Sequence, residues 1–144
     1  MTIAAILKHK GHQVSGVVPT ATIAQVAQIL ADRRIGAVLV IDAAEQLLGI
    51  VSERDIVASL AANGAETLTM TAGQLMTRAL RTATPRTTVV EAMTMMTAGR
   101  FRHLPVVEHD VLVGLISIGD VVKARIMQQE NEVDTLKAYV SGTA

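Results

Sequence analysis

Apolar positions along the chain fall into short stretches with two different spacings. Behind Thr22, a good N-cap, Ile23, Val26, Ala27, Ile29 and Leu30 recur at helical intervals, which predicts a helix to about Arg33. Ala37 to Asp42 is a continuous, β-branched apolar run ended by a charge and reads as a buried strand. Ala43-Ala44-Glu45-Gln46 turns the chain, and Leu47 to Val51 returns as a second strand. Ser52 caps a further helix to about Ala62, which Asn63-Gly64 terminates. The same alternation follows downstream. A helix is predicted over Thr88 to Ala98, closed by Gly99, with strands over His103 to Val107 and Val111 to Ile116. A last helix runs from Ile118 past Met127, and the charged tail from Gln129 continues it outward.

This likeness of halves is an internal repeat. Pro19-Thr20-Ala21-Thr22-Ile23 returns 66 residues later as Pro85-Arg86-Thr87-Thr88-Val89. The same offset aligns Arg34 with Arg100, Val40 with Val106 and Asp42 with Glu108. After a one-residue deletion in a turn, Gly49-Ile50-Val51-Ser52-Glu53-Arg54-Asp55 matches Gly114-Leu115-Ile116-Ser117-Ile118-Gly119-Asp120. The expected organisation is a first repeat over residues 8–64, a polar, Thr-rich linker over 65–77 with one helical turn, a second repeat over 78–128, and a helical tail over 129–144. The order β-α-β-β-α, used twice, is an α/β (α+β) arrangement of two pseudo-symmetric repeats packed through their sheets.

Composition narrows the chemistry. Half of the 144 residues are apolar, Phe101 and Tyr139 are the only aromatics, and 13 basic residues balance 13 acidic ones. The apolar content is ample for a folded core. The absence of cysteine excludes disulfides, thiolate zinc sites and Cys nucleophiles. A neutral chain nearly without rings lacks both the basic field and the stacking platforms of a nucleic-acid binder. The N-terminus places its charges after its apolar run, unlike a secretory signal, and no apolar run approaches membrane length. A cytoplasmic protein with no membrane or nucleic-acid partner is expected.

The repeated Gly-h-h-Ser-x-x-Asp segment, where h is apolar, carries the most chemistry. Gly49 or Gly114 is read as starting the second strand at a tight turn. The strand delivers Ser52 or Ser117 to a helix N-terminus, where unpaired N–H groups and the helix dipole favour an anion. One turn along, Asp55 or Asp120 has two acceptor oxygens for ribose hydroxyls. Ser-x-x-Asp ahead of an apolar run is equally the pattern of a helix cap, and the two uses are compatible. Arg102 and His103, ahead of a strand, are candidates to hold phosphate charge, with a solvated loop pair as the alternative.

Both segments, and above all Arg102-His103-Leu104-Pro105-Val106 followed by Gly114 to Asp120, resemble the cystathionine β-synthase-type (CBS) domain. The likeness spans about Ile3 to Met127 and suggests a stand-alone tandem pair, or Bateman module, of the bacterial type. It implies an adenine nucleotide in clefts between the repeats, AMP first, with ATP, ADP, NAD(H) or S-adenosylmethionine beside it, and a homodimer that signals to a downstream protein the sequence does not name. By the resemblance, one cleft would combine Ser15, Gly16, Ile35 and Gly36 with Arg102, His103, Ser117 and Asp120. The other would combine Arg81, Thr82, Phe101 and Arg102 with Gly36, Ser52, Arg54 and Asp55. The first unit departs from the pattern in having Gly36-Ala37 where the second has Arg102-His103. A ligand-free structural homodimer is the alternative from another class.

Other motifs weigh less. His9 and His12 have a spacing that suits a metal, but Gly11 intervenes and no carboxylate is near in sequence, so no metal is expected. Of Met93, Met95 and Met96, two suit the core face of a helix. No Ser/His/Asp set, Walker A segment or Gly-x-Gly-x-x-Gly occurs, so no enzyme is expected.

Overall fold

A computed structural model describes residues 1–78 and 80–142. In chain order the elements are α1 (Ile3–Lys10), β1 (Gly16–Val17), α2 (Ile23–Arg33), β2 (Ala37–Ile41), β3 (Leu47–Ser52), α3 (Glu53–Asn63), a 3-10 turn (Gly64–Thr69), α4 (Ala72–Leu75), α5 (Val89–Gly99), β4 (His103–Glu108), β5 (Val111–Ser117) and α6 (Ile118–Val140). They form two compact units. A middle unit comprises Gln13–Arg81, and a split unit joins Met1–His12 to Thr82–Ala144.

In the middle unit β1 lies parallel to β2, and β2 pairs antiparallel with β3. Ile23, Val26 and Leu30 of α2 pack with Val38, Val40, Val51 and Ile56 in its buried cluster. A reciprocal cap between Thr22 and Gln25 starts α2, and Arg34 ends it in the left-handed region at φ 53°. The split unit repeats this plan. Val89, Ala92 and Met96 of α5 pack on Leu104, Val106 and Ile116 of the β4–β5 hairpin. The strand pairing is irregular between Val40 and Ile41 and again between Val106 and Val107, equivalent positions of the repeat.

The structure revises several sequence expectations. Gly99 lies inside α5, and Arg100, at φ 54°, is the left-handed residue that closes it, as Arg34 closes α2. A Cβ at Gly99 would run into the Phe101 ring, which explains the glycine by space. The one-residue deletion falls in the strand turn. Asp42 Oδ1 accepts from the Ala44 and Gln46 N–H groups at 2.9 Å in the first repeat, whereas His109 and Asp110, both at positive φ, make a two-residue turn in the second. The leading strand is also unequal. The Leu39 N–H donates to Ser15 in the first sheet, but its counterpart Pro105 has no N–H. Among the described residues, pairing of the leading segment with β4 is therefore reduced to one parallel bridge, Ala83 to Val106.

Residues 65–77, expected as a linker, bury Thr67, Ala72 and Met76 in the middle unit. Gly49 and Gly114 do not start their strands; each lies within one. A Cβ at Gly49 would stand 2.7 Å from Met76 Sδ and from the Thr77 carbonyl oxygen, and one at Gly114 would stand 2.6 Å from Leu7 Cδ2. The two glycines thus admit equivalent covers, the α4 segment over β3 and α1 over β5. Thr2 bridges to Thr88 and Thr71 to Thr22, so the segment ahead of each repeat folds onto the other repeat's elements.

Overpacking at such sites costs about 1–3 kcal/mol, and a backbone carbonyl yields less than a side-chain tip. Gly49→Ala is therefore expected to destabilise more than Gly114→Ala, by urea unfolding, because Leu7 can change rotamer and Thr77 O cannot. Equal losses would contradict this account of the two contacts.

Candidate functional site

The two Ser-x-x-Asp turns are built alike. Antiparallel pairing sets His103 opposite Ser117 and Ala37 opposite Ser52, which fixes where each second strand ends. The next residue bonds back across the hairpin: Ile118 N–H donates to Arg102 O at 2.8 Å and Glu53 N–H to Gly36 O at 2.9 Å. A reciprocal cap then starts each helix. Asp120 N–H donates to Ser117 Oγ at 3.2 Å while Ser117 N–H donates to Asp120 Oδ2 at 2.8 Å. In the other turn the distances are 3.2 Å and 2.9 Å, and the Ser52 hydroxyl also donates to Asp55 Oδ2 at 3.0 Å. Serine, acid and the backbone of the preceding strand are thus held together by bonds the fold itself needs.

The turns differ in charge. Lys10, at the end of α1, donates from Nζ to Asp120 Oδ2 at 2.6 Å and to the Leu115 carbonyl at 2.8 Å. Next along the chain, His12 Nδ1 lies 2.9 Å from Val113 O, so the segment after α1 follows β5. Burial alone would raise the Asp120 carboxyl, but the Lys10 hydrogen bond and charge, with the bonds from Ser117, outweigh it and hold the group below its ordinary value. Among the described residues, the bonds to Asp55 come from Ser52.

Of the residues assigned to the first cleft, the split unit brings Arg102, His103, Ser117 and Asp120 together at one hairpin end. Ser15, Gly16, Ile35 and Gly36 belong to the middle unit. There Ser15 O pairs with Leu39 N–H, and Ser15 Oγ accepts from Arg33 Nη1 at 2.9 Å. Ile35 N–H bonds Leu30 O, and Gly16 lies against Ile41. Of the second set, Ser52, Arg54, Asp55 and Gly36 share the turn of the middle unit, and Arg81 is an exposed residue of the same unit. Thr82 and Phe101 are in the split unit, where the half-buried Phe101 packs against the buried cluster.

Lys10 is the residue the sequence reading missed. Its segment reads as a basic terminal stretch, and only the match of Thr2 through Leu7 with Thr71 through Met76 points to its place over β5.

Because the Asp120 carboxyl is lowered on folding, its contribution to stability is complete above the unfolded value of about 3.9 and is lost as pH falls through the lower folded value. Lys10→Met is expected to raise the Asp120 carboxyl titration in NMR and to cost about 1 kcal/mol or less at pH 7, solvent screening the half-exposed pair. At a pH below both values the difference between variant and parent should shrink to what the Lys10 bond to the Leu115 carbonyl contributes. An unmoved Asp120 titration would show that Lys10 does not hold the acid in solution.

The CBS domain family model matches residues 12–62 and 72–127. The chain is 34% identical, over 98% of its length, to the mitochondrial CBS domain-containing protein CBSX3 of Arabidopsis thaliana, of which it covers 72%. It is 43% identical to a CBS-domain containing protein of known structure from Agrobacterium tumefaciens, with a TM-score of 0.84 over 86% of this chain and 92% of that one. A CBS domain protein from Pyrobaculum aerophilum complexed with AMP is 26% identical, with a TM-score of 0.73 over 83% and 89% of the two chains. With both repeats matched over most of its length, the chain belongs to the CBS domain family and carries two such domains.

Proposed function

We propose that the protein is a non-enzymatic regulatory module that binds an adenine nucleotide, AMP first and ATP or NAD(H) beside it, and passes the ligand state to a partner protein through a homodimer. The observation that carries this reading is the duplicated turn that sets a serine, one helix-start N–H that the cap and hairpin bonds leave unused (Arg54 or Gly119) and an aspartate at the end of a hairpin. The turn offers donors to a phosphate and a carboxylate to a ribose. At both turns the cap bonds fall on Oδ2, which leaves Oδ1 as the oxygen for a ribose hydroxyl. The AMP complex of the Pyrobaculum relative supports an adenine ligand for the family.

Arg102 and His103 are proposed to meet the phosphate of the ligand at Ser117 and Asp120. Ser15, Gly16, Ile35 and Gly36 complete that set in the proposal, as Arg81, Thr82 and Phe101 complete the set of Ser52, Arg54 and Asp55. Signalling requires the ligand to prefer one of two arrangements of the dimer, because equal affinity for both would shift nothing.

A native-state ligand at 100 times its Kd stabilises by about 2.7 kcal/mol, enough to raise Tm by several degrees. AMP, ATP, NAD, NADH and S-adenosylmethionine are therefore tested by thermal shift, and at least one is expected to raise Tm. Asp120→Ala should abolish the shift that depends on the first set and Asp55→Ala that of the second. No shift with any ligand at millimolar concentration favours the structural homodimer. Unchanged binding by the double variant overturns the residue assignment.

A further inference from the structure

Beyond Ala124 the last helix has no buried residue, yet α6 continues to Val140. Its inner face is accounted for, with Val121 and Ala124 in the buried cluster of the split unit. Its outer face is apolar and uncovered. Val122, Ile126, Val133, Leu136 and Val140 are between 43% and 77% exposed. A groove of about 480 Å³ runs beside Val122, Ile126 and Glu130 along the first half of that face.

The spacing of these residues is not that of a surface stripe at random. Gly119, Val122, Ile126, Gln129, Val133, Leu136 and Val140 follow one another at alternating steps of three and four. That is a seven-residue repeat, with Gly119, Ile126, Val133 and Val140 at its first core position (a) and Val122, Gln129 and Leu136 at its second (d). Ile126, Val133 and Val140 at a with Leu136 at d follow the pattern that favours two parallel strands, whereas Val122 and Gln129 at d depart from it and cost stability. The flanking charges agree. In a parallel pair the g residue of one helix faces the e residue five positions on in its partner. Arg125 would then face Glu130 of the second copy, and Glu132 would face Lys137, both opposite-charge pairs.

We propose that the outer face of α6 is the seam of a parallel two-stranded coiled coil between two copies of this chain. The inference rests on the homodimer in the proposed function and names its interface. Gly119 begins the seam, and with no side chain there the two helix starts can approach closely. Each of those starts carries a Ser117–Asp120 turn. A parallel seam therefore places both turns at the same end of the coil, which gives ligand binding at the turn a direct route to the helix pairing.

The test is the mass of the full chain in solution, measured by light scattering and sedimentation equilibrium. A dimer is expected, and Ile126→Glu with Val133→Glu should weaken it about 100-fold, since the seam would have to bury unpaired carboxylates. Arg125→Glu alone should weaken it less, and adding Glu130→Arg should restore it. Because the chain has no cysteine, Leu136→Cys reports direction cleanly: a parallel seam sets residue 136 against its own copy and gives a disulfide dimer on oxidation. Retained thermal unfolding of the double glutamate variant separates loss of the seam from loss of the fold. A dimer that survives both glutamates overturns the seam but leaves the homodimer and nucleotide binding standing. A monomeric parent overturns the seam and the homodimer together, whereas nucleotide binding is judged separately by the thermal shifts.

Discussion

Each unit hinges on one reciprocal cap. A serine ends the second strand of a hairpin and begins a helix, and its backbone and side chain both bond the aspartate three residues on. The strand side is fixed by pairing of the serine with His103 or Ala37. The helix side is fixed by the bond from the next N–H back to Arg102 or Gly36. Breaking the cap would leave a helix-start N–H unpaired at the junction where two elements change direction, so the motif stabilises the fold by about 1 kcal/mol whether or not a ligand is bound. The same requirement holds a polar, anion-tolerant cluster at the surface, and a binding role can be added to it without new backbone.

A second constraint is crowding over the hairpin. Gly49 and Gly114 sit where a covering segment approaches closer than any Cβ permits. Those covers come from α4 and α1, the segments that precede the second and first repeats. Each repeat is thus completed by residues from ahead of the other one, and the compact units do not follow the chain order of the repeats. The consequence for the site is direct. Leu7 anchors α1 on β5, and three residues later the same helix brings Lys10 onto Asp120.

Local rules made much of this legible in the sequence. Helices α2, α3 and α5 follow from their caps and apolar spacing to within a residue or two, and the hairpins follow from continuous apolar runs broken by polar turns. What stayed hidden depends on distant partners. Gly114 looks like a turn residue until Leu7 is seen above it, and Gly99 looks like a helix stop until Phe101 is placed. Residues 65–77 look like a linker because two of their three buried members, Thr67 and Ala72, are polar or small and only Met76 is a large apolar residue. The Ser-x-x-Asp turns were visible because a cap is local. Lys10 was not, since it reaches Asp120 across 110 residues.

The two turns share a backbone but not a charge. The segment Ser52-Glu53-Arg54-Asp55 carries a net charge of one negative unit, whereas Ser117-Ile118-Gly119-Asp120 with Lys10 is neutral. In the proposed reading an anionic group at the helix start meets one N–H left unused by the cap in each, Arg54 or Gly119, with one repulsive charge uncompensated only in the first. The duplication therefore preserved the residues the cap requires and let the neighbours diverge. In the proposed reading the Asp120 turn suits a phosphate better than the Asp55 turn, because Lys10 offsets the charge of its carboxylate.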